Sequence, residues 1–177
     1  EVSDAVREAT AGPPPGHLAD DFVEAFGAAL EKTREVWRAP RDAQPFVIAG
    51  SGTIAMEMAV TNLLERGDRA VVASTGYFSA RIAEMLRRRG VAVTVVGGAP
   101  GTVPELDAVD GTLSRTGARA LFATHVDTST GVRVDPEALT ALARRHDALS
   151  VFDGVCATAG ERFEMERWGA DVYLTGS

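Results

Sequence analysis

From residue 45 onward the chain alternates between short apolar runs and longer stretches in which apolar residues recur every three or four positions. The short runs are residues 45–49, 69–74, 91–96, 119–124, 148–155 and 171–175. Each has the length of a strand and few polar interruptions, the pattern of strands covered on both faces. Between them the period is helical. Residues 54–64 are nearly all apolar and predict a buried helix, for which Gly67 is a suitable C-terminal cap. Residues 77–89 place Ile82, Met85 and Leu86 on one face and stop at Gly90. After a loop at 97–103, Pro104 and Glu105 open a helix carrying Leu106, Val109 and Leu113. Asp135-Pro136 supplies an N-cap and a first-turn proline for a helix with Leu139 and Leu142. Strands and helices alternating at this spacing predict an α/β fold: one mostly parallel sheet with helices on both faces.

The first 44 residues read differently, as an N-terminal segment with an amphipathic helix. A short helical pattern at Val2 and Val6 runs into the breaker cluster from Gly12 to His17. Phe22, Phe26, Ala29, Leu30, Thr33 and Trp37 then recur at helical spacing until Pro40. Lys32, the only lysine, lies among the charged positions of this helix and reads as a solvated side chain.

Composition narrows the function. The chain has 177 residues, enough for one substantial core, with 45% hydrophobic and 24% charged residues. A net charge of −7 argues against a nucleic-acid surface, which needs a basic patch. No apolar run is long enough to span a bilayer and no charged-then-apolar leader opens the sequence, so no membrane partner is expected. Cys156 is the single cysteine, which suits a reducing compartment, and a cytoplasmic location is expected. It reads as a small hydrophobe. No metal-ligand spacing and no nucleophile elbow occurs.

Candidate chemistry gathers at the carboxyl ends of the strands, where ligands bind in open α/β sheets. Asp153 ends the apolar run 148–152; a carboxylate there needs a cation or several donors to stay charged. Gly50-Ser51-Gly52-Thr53 joins a predicted strand to a helix, so free N–H groups and the helix dipole could hold a phosphate; a ligand-free tight turn is the alternative. The same string fits the dinucleotide fingerprint G-x-G-x-x-A, but the strand at 69–74 ends without the ribose-binding acid. Tyr77 and Phe78 follow that strand and could stack on a flat ligand or simply pack. The polar cluster from Thr124 to Thr130 offers hydroxyls, with His125 at the same edge. A phosphate turn, an aromatic, hydroxyls and a buried acid together meet the needs of pyridoxal 5′-phosphate (PLP), whose ring nitrogen must stay protonated.

At these motifs the chain resembles the class V, fold type I, PLP-dependent aminotransferases, most closely the alanine–glyoxylate and serine–pyruvate group. The matching segments are Gly-Ser-Gly-Thr53 with Glu57 after it, Thr-Gly-Tyr-Phe-Ser-Ala-Arg81, Thr-His-Val-Asp-Thr-Ser-Thr-Gly-Val132 and Val-Phe-Asp-Gly-Val155, with Gly16-His17 and Phe22 near the start. The resemblance implies that residues 45–177 are the PLP-binding large domain. It implies that Ser51, Gly52 and Thr53 hold the phosphate, with Ser177 in the Tyr173-Leu-Thr-Gly-Ser177 approach to the site. It further implies that Phe78 stacks on the ring, Val155 packs on the opposite ring face, Thr128 reaches the phenolic oxygen, and Asp153 pairs with the ring nitrogen. The family's Schiff-base lysine then belongs beyond Ser177, and the substrate-carboxylate arginine, the small C-terminal domain and an opening Gly-Pro segment also lie outside the chain. The implied reaction is ping-pong transamination between a small L-amino acid (alanine- or serine-like) and a 2-oxo acid (glyoxylate- or pyruvate-like), in a homodimer. A PLP-dependent lyase or cysteine-desulfurase-like enzyme, sharing His125 and Asp153 in outline, a Rossmann-type nucleotide-binding module and a non-catalytic interaction domain are the alternatives.

Overall fold

A computed structural model describes residues 2–176. In chain order its elements are α1 (Asp4–Ala11), α2 (Asp20–Val36), α3 (Gly52–Leu63), β1 (Arg69–Ser74), α4 (Tyr77–Arg89), β2 (Ala92–Gly97), α5 (Leu106–Thr116), β3 (Ala120–Thr124), α6 (Pro136–Arg145), β4 (Leu149–Asp153), α7 (Met165–Trp168) and β5 (Val172–Leu174). The five strands form one sheet in the order β2-β1-β3-β4-β5, and every pairing is parallel. The order reverses between β1 and β3, so the loops after these strands diverge and leave a crevice at their carboxyl ends.

The apolar strand runs are explained by burial on both faces. Val71 and Ala73 of β1, Leu121 and Ala123 of β3 and Phe152 of β4 face α5 and α6, packing with Val109, Leu113, Leu139 and Leu142. Their neighbours Ala70, Val72, Ala120, Phe122 and Val151 face α3 and α4, packing with Val60, Ile82, Ala83 and Leu86. The two-residue alternation thus feeds two separate cores. The α4 helix ends at Gly90, whose φ of 88° is the left-handed cap that glycine adopts without strain. Asp135 caps α6 through Ala138 N–H at 3.1 Å.

Several expectations are corrected. Residues 45–49 form no strand: Phe46, Val47 and Ile48 are 72%, 52% and 46% exposed, and no described strand pairs with them. An apolar run marks a side chain to be covered, but a strand also needs a neighbour's hydrogen-bond ladder, and Pro45 has no N–H to donate. Only Met56, Ala59 and Val60 of α3 are buried, because this helix lies across one face of the sheet and leaves Ile54 half exposed. Gly67 does not cap α3, which ends at Leu63; it sits in the next turn with φ 93° and donates to Gly90 O at 2.9 Å. The short α7 was not legible from the periodicity, being only four residues long.

The N-terminal segment joins the core at the end of α2. Trp37 packs against the α5/α6 side, and Met165 and Glu166 N–H donate to Trp37 O and Arg38 O at 3.0 and 3.1 Å. Glu164 clamps this junction. It is 5% exposed and accepts from Arg162 at 2.5 Å, Arg167 at 2.8 Å and Arg38. The Arg162 hydrogen bond first, then those from Arg167 and Arg38, hold its carboxyl down to about 2 against the upward push of burial. A depressed folded-state value gives stability that is present above the ordinary value of 4.5 and lost as pH falls toward about 2. Glu164→Gln is therefore expected to lower the thermal midpoint at neutral pH and to lose less than the parent between pH 4.5 and 2. Thermal unfolding of both proteins across that range checks it; parallel curves would contradict it.

Candidate functional site

A cleft opens at the carboxyl edge of the sheet, lined by Ser51, Gly52, Thr53, Met56, Phe78, Val126, Thr128, Asp153, Val155 and Cys156. One end is the start of α3. Ser51 is extended, its carbonyl accepts from Ile54 and Ala55 N–H at 2.9 and 3.2 Å, and its side chain makes no cap bond. Gly52 and Thr53 are the first helical positions, so their N–H groups have no intrahelical acceptor, and none among the described residues takes them. These donors and the positive end of the helix dipole suit an anion. The backbone is drawn in tightly here. A Cβ on Gly52 would lie 2.5 Å from Val155 Cγ2, and one on Gly176 would lie 2.5 Å from Gly52 N.

The other end is acidic. Asp153 closes β4, in register with Thr124 and Leu174 on either side. It is 2% exposed, and Val155 N–H, at 3.0 Å, is the one donor its carboxylate accepts from among the described residues. Burial pushes its carboxyl above the ordinary value, the Val155 N–H pulls it back, and the charge of Asp127 adds to the rise. A carboxylate held this way gains most from a cationic hydrogen-bond donor in the cleft.

Aromatic and hydroxyl groups lie between the two ends. Phe78 is half-buried and lines the cleft, whereas Tyr77 is 58% exposed and meets Phe78 edge-on at 5.2 Å. Thr128 presents its side chain from the loop after β3. Ser51, Gly52, Thr53, Phe78, Thr128, Asp153 and Val155, drawn from four separate stretches, therefore surround one space. Ser177 lies outside the described residues. Lys32 is exposed on α2 and does not line the cleft.

His125 is not in the cleft. It is fully buried, its Nδ1 is 3.1 Å from Tyr173 Oη, and its ring packs beside Phe163 and Tyr173 in the α5/α6 core. Burial pushes its pKa down to about 4. Alternation explains the placement: His125 continues the face of Leu121 and Ala123, which pack in the α5/α6 core, and Val126 takes the other side. That parity was readable from the sequence and also marks Val126 as a lining residue. Met56, one helical turn after Gly52, could be found the same way. Cys156 is exposed and lines the cleft instead of packing as a small hydrophobe, because the chain has left β4 for a turn where strand alternation no longer holds.

The family model for class-V aminotransferases matches residues 9–177. The chain belongs to the class-V aminotransferase family. Among curated relatives it is 37% identical to alanine–glyoxylate aminotransferase 1 of Saccharomyces cerevisiae, over 99% of this chain and 48% of that protein. It is 33% identical to L-aspartate–glyoxylate aminotransferase of Paracoccus denitrificans, over 99% of this chain and 46% of the other. The chain thus spans about half the length of the curated relatives it matches. Among solved structures, an alanine–glyoxylate aminotransferase from Nostoc superposes with a TM-score of 0.91 at 28% identity, covering 98% of this chain and 46% of that one. An Escherichia coli cysteine desulfurase, with a TM-score of 0.72 at 18% identity over 97% of this chain and 47% of that one, shares the fold alone.

The resemblance puts Phe78, and not Tyr77, against the ring of PLP, and the register at the end of β1 gives a direct test. If Phe78 stacks there, Phe78→Ala weakens PLP binding by a contact on the order of 1 kcal/mol, and Tyr77→Ala leaves it nearly unchanged. Titration of the cofactor-free proteins with PLP measures both, and the reverse ranking would place the stacking ring one residue earlier.

Proposed function

We propose that this chain is the PLP-binding part of an aminotransferase that moves an amino group from a small L-amino acid to a 2-oxo acid such as glyoxylate. One observation carries the reading. Among the described residues, a buried carboxylate with a single donor, Asp153, faces the same cleft as the open N–H groups of Gly52 and Thr53. A ligand that is cationic at one end and dianionic at the other matches that pair, and PLP with a protonated ring nitrogen is such a ligand.

In this reading Gly52 and Thr53 N–H and the Ser51 hydroxyl bind the phosphate, with Ser177 as a further candidate. Phe78 and Val155 bracket the ring, and Thr128 bonds the phenolic oxygen. Asp153 holds the proton on the ring nitrogen. Bound there, the cofactor supplies an electron sink for the amino acid's α-carbon. The names of the relatives, which pair alanine or aspartate with glyoxylate, support the substrate class. Of the two residues that the lyase alternative shares, Asp153 lines the cleft and His125 packs away from it. We also propose that the active enzyme is a homodimer, as the family resemblance implies, in the reducing cytoplasm that suits a chain with one cysteine. No helix among the described residues is long and apolar enough to cross a membrane.

The lysine that anchors the cofactor is proposed to lie beyond Ser177. Borohydride reduction of the PLP-loaded full-length protein, followed by peptide mapping, tests this. The pyridoxyl label is expected on a lysine outside this chain and within a few residues of Ser177. A label on Lys32 would overturn the assignment.

A further inference from the structure

The loop after β3 does more than carry Thr128 to the cleft. Asp127 is completely buried, yet its carboxylate makes no ion pair among the described residues. Three hydrogen bonds hold it. Oδ2 accepts from Ser79 N–H at 3.2 Å; the Ser79 hydroxyl lies 3.3 Å from it, with its proton on Gly76 O at 2.8 Å. Oδ1 accepts from Ser129 N–H at 3.1 Å and from Ser129 Oγ at 2.6 Å. Ser129 Oγ in turn accepts from Tyr77 N–H at 2.9 Å. Thr130 Oγ1 donates to Thr75 O at 2.9 Å, tying the same loop to the end of β1.

Tyr77 and Ser79 are the first and third residues of α4, and Phe78 lies between them. The N–H groups on both sides of Phe78 are therefore held by one loop, and the anionic acceptor sits at the positive end of the helix. The approach is close enough to dictate Gly76: a Cβ there would stand 2.5 Å from Ser129 Oγ and 2.7 Å from Asp127 Cγ. The Asp127–Ser129 latch sets where the first turn of α4 begins, and with it where the Phe78 ring stands in the cleft.

We propose that Asp127 is a positioning residue that fixes the Phe78 ring for cofactor binding. The proposal rests on the PLP reading above. Asparagine is the informative replacement, since it keeps the shape but can accept on one side only, so one of the two grips is lost. The test is a double-mutant cycle on the full-length protein with PLP affinity as the readout, using Asp127→Asn, Phe78→Ala and the pair. Asp127→Asn is expected to weaken PLP binding on the order of tenfold, and to add little once Phe78 is alanine. In the cofactor-free protein, amide exchange at Tyr77 and Ser79 should accelerate in Asp127→Asn. If the asparagine variant folds poorly, Ser129→Ala removes the Tyr77 grip and the Ser129 hydroxyl's bond to Asp127, leaves the Ser79 grip in place, and should shift both readouts in the same direction. Equal losses of affinity with and without the Phe78 ring, or unchanged exchange at both amides, overturn the proposal. Failure of the unsubstituted protein to bind PLP overturns the cofactor reading and this inference with it, whereas normal PLP binding by the Asp127 and Ser129 variants overturns this inference alone.

Discussion

Asp153→Asn in the full-length enzyme is expected to lower kcat by several orders of magnitude while leaving the fold intact. Each factor of ten corresponds to about 1.4 kcal/mol of lost transition-state stabilisation. Asparagine matches the shape of Asp153 and can still accept from Val155 N–H, but it carries no charge to hold a proton on a ring nitrogen. Stability should move the other way. Burial raises the Asp153 carboxyl above its ordinary 3.8, so the cofactor-free native state binds a proton that the unfolded chain has released. That contribution is complete below the unfolded value and is lost as pH rises through the folded one. At pH 7 the cofactor-free Asp153→Asn protein is therefore expected to melt above the parent, with the gap closing as the pH is brought below about 3.8. A variant of near-normal turnover, or one less stable at neutral pH, would contradict the role given to this carboxylate. Gain in stability with loss of activity is the signature of a charge kept for a ligand.

The largest structural effect is expected one residue later. A Cβ on Gly154 would lie 2.0 Å from Tyr173 Cζ and 2.2 Å from its Cε1 and hydroxyl. Tyr173 cannot retreat: its ring sits 4.0 Å from Phe163 and 5.5 Å from Trp37 between centroids, and its hydroxyl meets His125 Nδ1 at 3.1 Å. Gly154→Ala should thus cost about 3 kcal/mol, at the upper end of overpacking, and displace the turn that carries Asp153. Thermal unfolding measures the loss. Combining it with Tyr173→Ala should give less than the sum of the two single effects, because the second change removes the obstacle. A Gly154→Ala protein that melts with the parent would show that the turn relaxes freely.

What the sequence showed of this fold was its side-chain burial, and what it hid was its partnering. The runs around Val71, Leu121 and Val151 are apolar because both faces are covered, and that can be read from one segment alone. The run at 45–49 looks the same but has no neighbouring strand among the described residues, and no local pattern separates the two cases. Asp153 and the Ser51–Thr53 turn were legible because their chemistry is local: a carboxylate ending an apolar run, and a glycine turn opening a helix. His125 was misplaced by judging edge position without parity, since it continues the face of Leu121 and Ala123 into the α5/α6 core. Asp127 was legible only as part of a polar cluster. Its partner Ser79 is 48 residues away, and Tyr77 is 52 residues from Ser129, which holds it; only the fold brings them together.

The central claim is that Asp153 holds a proton on the ring nitrogen of PLP. The ¹⁵N chemical shift of ring-labelled PLP bound to the full-length protein measures that proton directly. A protonated-pyridine shift is expected with Asp153 in place and a neutral-pyridine shift in Asp153→Asn; a neutral shift in the unsubstituted protein would contradict the claim.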